Sequence, residues 1–214
     1  MSGNSLDDYL ASPRVDIDAI LERMRPIEGW FNDEEAGLLA AAVTYSLETA
    51  DAAAIVEIGS YHGRSTVVLA DVMSAVRPEQ RVCAIDPHEG RLSLSFRPDC
   101  LGTPTLDIFC SNLLERGLLG SVEIIRSRST DVDWDRPIGL LFIDGLHDYR
   151  SVSTDFERFD RWIIPGGFVA FHDYSPNFPD VIRLVNEVQR HGDFVRVADA
   201  GDLVVLRRKA ADTG

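Results

Sequence analysis

The chain has 214 residues, of which 45% are hydrophobic and 26% are charged, as is typical of a globular domain rather than of a disordered chain. Its 21 basic and 35 acidic residues give a formal charge of −14, which repels phosphate backbones and argues against a nucleic-acid partner. The three cysteines are scattered, the N-terminus is acidic and unlike a signal peptide, and the apolar runs are too short for a membrane span. These features predict a cytoplasmic protein without a membrane partner.

Two helical patterns precede the first predicted strand, at 15–24 and 33–49. Asn32 is the expected N-cap of the second helix, because it is followed by three acidic residues that suit the positive end of a helix. We expect residues 1–50 to form a helical cap on a single domain that spans 1–214.

Short β-branched runs alternate with helical patterns in the rest of the chain. Strands are predicted at 52–59, 81–86, 122–127, 138–144 and 167–173, and helices near 63 and at 106–117 and 149–163. This alternation is typical of parallel βαβ units. Two last strands, 193–199 and 202–208, are predicted to form a hairpin. The predicted fold is therefore α/β: a Rossmann-like, seven-stranded, mostly parallel sheet with about six helices on both faces and a C-terminal antiparallel hairpin.

One segment, 87–105, fits neither pattern because it is rich in proline and glycine. A loop of this length in a compact domain is usually functional or mobile. We expect it either to face the substrate as a lid or to cover an edge of the sheet.

A glycine turn follows the first predicted strand. Gly59 and Gly63 lack a Cβ and allow a close approach of backbone to ligand, and the helix that follows offers free N–H groups. Ser65 and Thr66 could also bond a carboxylate there. The Gly-x-x-x-Gly spacing differs from the Gly-x-Gly-x-x-Gly that binds a pyrophosphate. Asp86 ends the second strand, where a carboxylate can accept both hydroxyls of a ribose. Together these features predict a nucleoside site, for adenosylmethionine or a dinucleotide.

Titratable residues concentrate at the predicted carboxyl ends of the strands, where open α/β sheets bind their ligands. These residues are His62, His88, Asp144, His147, His172 and Asp173. Asp144 and His147 fall on one turn, so His147 is the candidate general base and Asp144 its catalytic partner. Asp144 and Asp173 suit Mg²⁺, whereas adding His147 or His172 would favour a softer divalent metal such as Zn²⁺ or Mn²⁺. Metal dependence stays open at this point.

Four motifs resemble those of class I S-adenosylmethionine-dependent methyltransferases, specifically the group that includes macrolide and rhamnosyl O-methyltransferases. They are VEIGSYHGRST, AIDPHEG, FIDGLHDYRSVSTDFERF and IPGGFVAFHDY. The resemblance runs from about Gly29 to Arg208, and the last two motifs together are the more specific ones.

The resemblance implies roles for individual residues. Those placed around the cofactor are Glu57, Gly59, Ser60 and Gly63 at its methionine part, Asp86 at the ribose, and Ser127, Arg128 and Ser129 near the adenine. Ser65 and Asp144 are also expected to bind the cofactor. His147 matches the proposed base of the sugar O-methyltransferases, and Asp144 and Asp173 match two magnesium ligands. The metal-dependent relatives carry an acidic pair where this chain has His172-Asp173, which weakens the case for magnesium but not for the cofactor.

The sequence therefore predicts methyl transfer from S-adenosylmethionine to a small-molecule acceptor, with a hydroxyl of a sugar or natural product as the leading expectation. An N-methyltransferase acting on an aminosugar, an NAD-dependent oxidoreductase and a non-catalytic binding module are the alternatives. A homodimer is the expected assembly from its frequency among proteins.

Overall fold

The computed structural model describes residues 5–50, 53–90 and 103–210. These residues form a seven-stranded sheet of order β3-β2-β1-β4-β5-β7-β6. The strands are β1 (Ala54–Ile58), β2 (Val82–Ile85), β3 (Val122–Ile125), β4 (Ile138–Ile143), β5 (Ile163–Phe171), β6 (Phe194–Ala200) and β7 (Leu203–Arg208). The first five strands pair in parallel, whereas β7 is antiparallel to both β5 and β6. The predicted fold is confirmed.

Seven α-helices lie within these residues, one more than predicted. They are α1 (Leu6–Ala11), α2 (Ile17–Met24), α3 (Asp33–Thr49), α4 (Arg64–Val76), α5 (Leu106–Glu115), α6 (Tyr149–Phe159) and α7 (Pro179–His191). The short α1 and the well-signalled α7, with Pro179 at its start and Gly192 at its end, were not placed from the sequence. No helix of the described ranges is long and apolar enough to cross a membrane.

The boundary between α6 and β5 also differs from the prediction. The helix was expected to reach 163, but it ends at Phe159 and a 3₁₀ turn follows over Asp160–Trp162. The strand then begins at Ile163 rather than at 167. Most of the segment 87–105, namely 91–102, lies outside the described residues, so its predicted lid or edge role stays a prediction.

Each strand presents apolar side chains to both faces of the sheet, as expected for buried parallel strands. Ile55 and Phe142 belong to the core shared with α1 to α5. Val56 and Leu141 belong to the core shared with α6 and α7. The three N-terminal helices therefore pack into the same core as the sheet, and Asn32 caps α3 as predicted, because its side chain accepts the N–H of Glu35.

The strand order reverses between β1 and β4, because β2 and β3 lie on one side of β1 and β5 lies on the other side of β4. At such a point the loops diverge and a ligand crevice opens beyond the carboxyl ends of the strands. Gly59 and Asp144, which follow β1 and β4, meet there. Gly59 has a φ of +88°, and a Cβ on it would lie 2.2 Å from the carbonyl oxygen of Asp144. Glycine is therefore required at this position for steric reasons.

We expect Gly59→Ala to lower the free energy of unfolding by about 2 kcal/mol or more, because the substitution adds both backbone strain and a clash with backbone. The matched control is Gly37→Ala in α3, where a Cβ would meet nothing within 4 Å. Alanine there should be neutral or stabilising by up to about 1 kcal/mol. Urea unfolding of the three proteins measures both effects, and equal effects of the two substitutions would refute this account of the turn.

Candidate functional site

A cavity of about 600 Å³ opens at the carboxyl edge of the sheet, where the strand order reverses. Its walls come from the turns after the parallel strands and from the loop between α2 and α3. The predicted site residues that line it are Gly59, Ser60, Ser65, Asp86, Arg128, Ser129, Asp144, His147, His172 and Asp173. Three others, Glu57, Gly63 and Ser127, do not line it.

Asp86 ties the end of β2 to the glycine turn after β1. Its Oδ2 accepts the backbone N–H groups of Ser60 at 2.8 Å and Tyr61 at 2.9 Å, and its Oδ1 accepts that of His88 at 2.6 Å. These bonds hold Tyr61 in the left-handed region, with a φ of 46°. The carboxylate thus shapes the turn while remaining at the wall of the cavity.

Glu57 lies inside β1 and beneath the first turn of α4. Its carboxyl group accepts the hydroxyls of Ser65 at 2.6 Å and Thr66 at 2.5 Å. Burial raises the pKa of Glu57 to about 7, although both hydrogen bonds oppose the shift. Any effect of Glu57 on a ligand would therefore pass through Ser65, which does line the cavity.

Asp155 of α6 is a cavity residue that the sequence analysis did not identify. It is buried, and it accepts a short hydrogen bond from the hydroxyl of Ser129. Burial raises the pKa of Asp155 to about 6, and the bond from Ser129 partly opposes that shift. The sequence did contain a signal for this residue. Asp155 lies next to Phe156 on the apolar stripe of a helix, and a carboxylate that is buried there needs a specific partner.

Five side chains meet where β4 and β5 end. Nε2 of His147 lies 2.7 Å from Oδ2 of Asp173. Nδ1 of His172 lies 2.9 Å from Oδ1 of Asp144 and 3.3 Å from the same Oδ2 of Asp173. The other nitrogen of His172, Nε2, faces Oε2 of Glu35 at 3.4 Å, and Glu35 comes from α3. The structure thus joins the predicted catalytic and metal residues in one cluster and adds Glu35, which the sequence indicated only as a helix-end charge.

The charges of this cluster depend on one another. Burial disfavours a charged His172, but Asp144, Asp173 and Glu35 outweigh burial and raise the pKa of His172 well above its usual value. Burial raises the pKa of Asp144, whereas hydrogen bonds from His147 and His172 overcome burial and lower the pKa of Asp173. Negative charge is therefore most stable on Asp173, the carboxylate between the two imidazoles.

The cluster was also predicted to hold a metal ion. Donor atoms of Asp144, His147 and Asp173 lie within 4.8 Å of one another, a spacing that permits one ion. Magnesium prefers about six oxygen ligands in octahedral geometry. Asp144 and Asp173 are the two carboxylates within that spacing, and a ring nitrogen of His172 already approaches both of them. The spacing fits an ion, but His172 competes with magnesium for the same two carboxylates.

The other two histidines at the strand ends do not join the cluster. His62 is buried and stacks on the ring of Tyr61 with centroids 3.7 Å apart. His88 is buried against Phe109, and its Nδ1 pairs with the hydroxyl of Thr105 at 2.8 Å. Burial lowers the pKa of both imidazoles, as expected for packing residues.

The loop between α2 and α3 forms a further wall of the cavity and is attached to the start of α4. The Arg64 guanidinium donates to the backbone carbonyl oxygens of Ile27 and Phe31, both at 2.6 Å, and of Arg25 at 3.1 Å. The Phe31 ring lies 5.4 Å from the ring of His172. Trp30 remains 56% exposed at the cavity. The N-terminal helices thus contribute directly to the site.

The strand order, the crevice beside β1 and the glycine turn define the architecture of a class I methyltransferase. A family model described as a methyltransferase domain matches residues 56–174. The chain therefore belongs to this methyltransferase family, which confirms the family predicted from the four motifs.

Solved structures share the fold. The O-methyltransferase NovP has a TM-score of 0.71 at 16% identity, over 85% of this chain and 83% of that chain. TomG from Streptomyces achromogenes, an O-methyltransferase solved with SAM, has a TM-score of 0.61 at 18% identity, over 97% of both chains. An O-methyltransferase from Bacillus cereus, solved with SAH, has a TM-score of 0.63 at 17% identity, over 95% of this chain and 97% of that one.

A curated relative matches a shorter stretch. An uncharacterized protein of Acanthamoeba polyphaga mimivirus is 38% identical over 53 residues, which make up 24% of each chain. This chain thus spans about a quarter of the length of that relative.

The raised pKa of Glu57 predicts a pH effect on stability. Its pKa is about 7 in the folded protein against 4.5 for the free group, so its favourable contribution is complete below pH 4.5 and is lost as pH rises to about 7. Between pH 5 and 8 we expect the wild type to lose more free energy of unfolding than Glu57→Gln, which cannot ionise. Glu34→Gln, at an exposed position, is the control and should follow the wild type. Parallel pH curves for wild type and Glu57→Gln in chemical unfolding would contradict this assignment.

Proposed function

We propose that this protein transfers a methyl group from S-adenosylmethionine to a hydroxyl group of a small molecule of the sugar or natural-product class. The observation that carries the proposal is one cavity that contains both the glycine turn with Asp86 and the His147–Asp173 pair. The names of the structural neighbours agree with it. TomG was solved with SAM, and another neighbour, CalS11, is described as a TDP-rhamnose 3'-O-methyltransferase.

The cofactor would lie across the carboxyl ends of β1, β2 and β4. The backbone of Gly59 and Ser60 and the start of α4 would receive its methionine part, since free N–H groups and the helix dipole favour a carboxylate there. Asp86 would accept the ribose hydroxyls, for which a carboxylate at this strand end is suited. Ser129, with Asp155 behind it, would border the adenine.

The acceptor hydroxyl would attack the methyl carbon as the carbon–sulfur bond breaks, leaving a neutral thioether, and its proton would pass to His147. Asp173 accepts the hydrogen on Nε2 of His147, which places the lone pair of the neutral ring on Nδ1. That Nδ1 is buried and has no hydrogen-bond partner within the described ranges. General-base catalysis contributes about 10²–10⁴-fold, whereas alignment of donor and acceptor can contribute up to about 7–11 kcal/mol. Alignment is the larger effect, and proton removal completes the reaction.

The surroundings of this pair favour an acceptor with an apolar surface. Trp30 is 56% exposed and Leu146 is 38% exposed, and both line the cavity. Leu146 directly precedes His147 of the cluster, and Trp30 precedes Phe31, whose ring contacts that of His172. Exposed apolar groups at a cavity mark a binding surface for apolar parts of a ligand.

Cofactor binding is the first test. Calorimetry of the wild-type chain should show heat on addition of S-adenosylmethionine or its demethylated product. Asp86→Asn should weaken binding of the product at least about tenfold, since it removes a charge-assisted acceptor. Asp107→Asn, at an exposed position of α5, is the matched control. If the folded wild type binds neither compound but binds NADH, the oxidoreductase alternative replaces this proposal.

The role of His147 is tested by turnover. We expect His147→Ala to lower kcat about 10²–10⁴-fold with a panel of hydroxylated sugars and phenols, because the proton acceptor is lost. Its affinity for the demethylated cofactor should stay within about twofold, because His147 has no proposed contact with the nucleoside. His191→Ala, at the exposed end of α7, controls for the loss of an imidazole elsewhere. Unchanged turnover of His147→Ala would remove it from the mechanism, and a methylated amine product would replace O-methylation by the aminosugar alternative.

A further inference from the structure

The imidazole of His172 is placed between the two carboxylates that a metal ion would need. Its Nδ1 lies 2.9 Å from Oδ1 of Asp144 and 3.3 Å from Oδ2 of Asp173. The first contact is a hydrogen bond, and the second is an ion-pair contact of the same nitrogen. The ring thus supplies a positively polarised hydrogen at the position where a cation would attract the same oxygens.

The ring is also held from its other side. Nε2 faces Oε2 of Glu35 at 3.4 Å, and only 4% of the His172 side chain is exposed. Glu35 is itself fixed by the backbone N–H groups of Asn32 at 2.7 Å and Asp202 at 2.8 Å. Contacts from α3 and from the β6–β7 turn therefore leave the imidazole little freedom to move aside for an ion.

We propose that the imidazole of His172 takes the place of a divalent cation between Asp144 and Asp173, and that methyl transfer by this protein requires no magnesium. The second half of this statement rests on the proposed function, whereas the first half concerns metal binding alone. Mg²⁺ usually binds through one or two carboxylates and several waters, but between these carboxylates the ion would lie against the N–H of His172 and would have to displace that ring.

The position of His147 follows from this arrangement. Oδ2 of Asp173 is shared by His172 and His147, at 3.3 Å and 2.7 Å. An imidazole that fixes this carboxylate therefore fixes the orientation of the candidate base, which is a task that a bound ion could otherwise perform. His172 is a positioning residue in this account, since it is assigned no contact with the transferred methyl group.

Metal binding can be measured without activity. Mn²⁺ replaces Mg²⁺ at oxygen sites, and the signal of free Mn²⁺ in electron paramagnetic resonance reports how much of it is bound. We expect the wild type to show no stoichiometric Mn²⁺ site that depends on Asp173. His172→Asp, which restores two adjacent carboxylates, should bind Mn²⁺ at least about tenfold more tightly than the wild type, a difference of about 1.4 kcal/mol. Adding Asp173→Asn to His172→Asp is the matched control and should abolish the gain.

The wild-type measurement decides the matter even if His172→Asp fails to fold. One Mn²⁺ per wild-type chain, lost in Asp173→Asn, would overturn the proposal, as would wild-type methyl transfer that stops with a chelator and returns with Mg²⁺. A folded His172→Asp variant that binds Mn²⁺ no better than the wild type would also contradict it. The proposed function fails separately if calorimetry shows that the wild type binds neither S-adenosylmethionine nor its product.

Discussion

The His172 imidazole contacts carboxylates from three separate parts of the chain at one wall of the cavity. The ring joins the ends of β4 and β5 through Asp144 and Asp173, and it joins both to α3 through Glu35. Buried carboxylates are costly unless they are paired, so the ring stabilises Asp144 and Asp173, whereas Glu35 also accepts two backbone N–H groups. The same contacts place Asp173 beside His147. The ends of β4 and β5, helix α3 and the candidate base thus meet around one side chain.

A second constraint acts at the glycine turn. The turn after β1 passes so close to Asp144 that Gly59 admits no side chain, and Asp86 holds the following backbone by accepting N–H groups of Ser60 and Tyr61. The absence of a side chain at Gly59 allows the turn to lie against Asp144, and the hydrogen bonds to Asp86 hold the turn in that shape. The Arg64 guanidinium links the start of α4 to the loop that carries Trp30 and Phe31, because it donates to backbone carbonyl oxygens of that loop. The walls of the cavity on this side are linked through the start of α4.

Much of the site was accessible from the order of residues along the chain. In parallel strands the residue after each strand lies at one edge of the sheet, so predicting β1, β2, β4 and β5 was sufficient to bring Gly59, Asp86, Asp144 and Asp173 to one cavity. Glu57 shows the limit of this reasoning, because it lies inside β1, two residues before Gly59, where it contacts Ser65 and Thr66 and not the cavity.

By itself, the sequence determined the alternation of strands and helices, the family, and the chemistry available at the sheet edge, since all of these follow from local patterns and residue types. Tertiary structure decided which histidines share a carboxylate. His147 and His172 both approach Asp173, at 2.7 Å and 3.3 Å. His62 and His88 occupy the same kind of position but lie at 3.7 Å and 3.9 Å from separate carboxylates, those of Glu28 and Asp86. Glu35 reaches His172 across 137 positions of the chain. Such partners are set by how helices dock on the sheet, a long-range packing outcome that spacing along the chain does not encode.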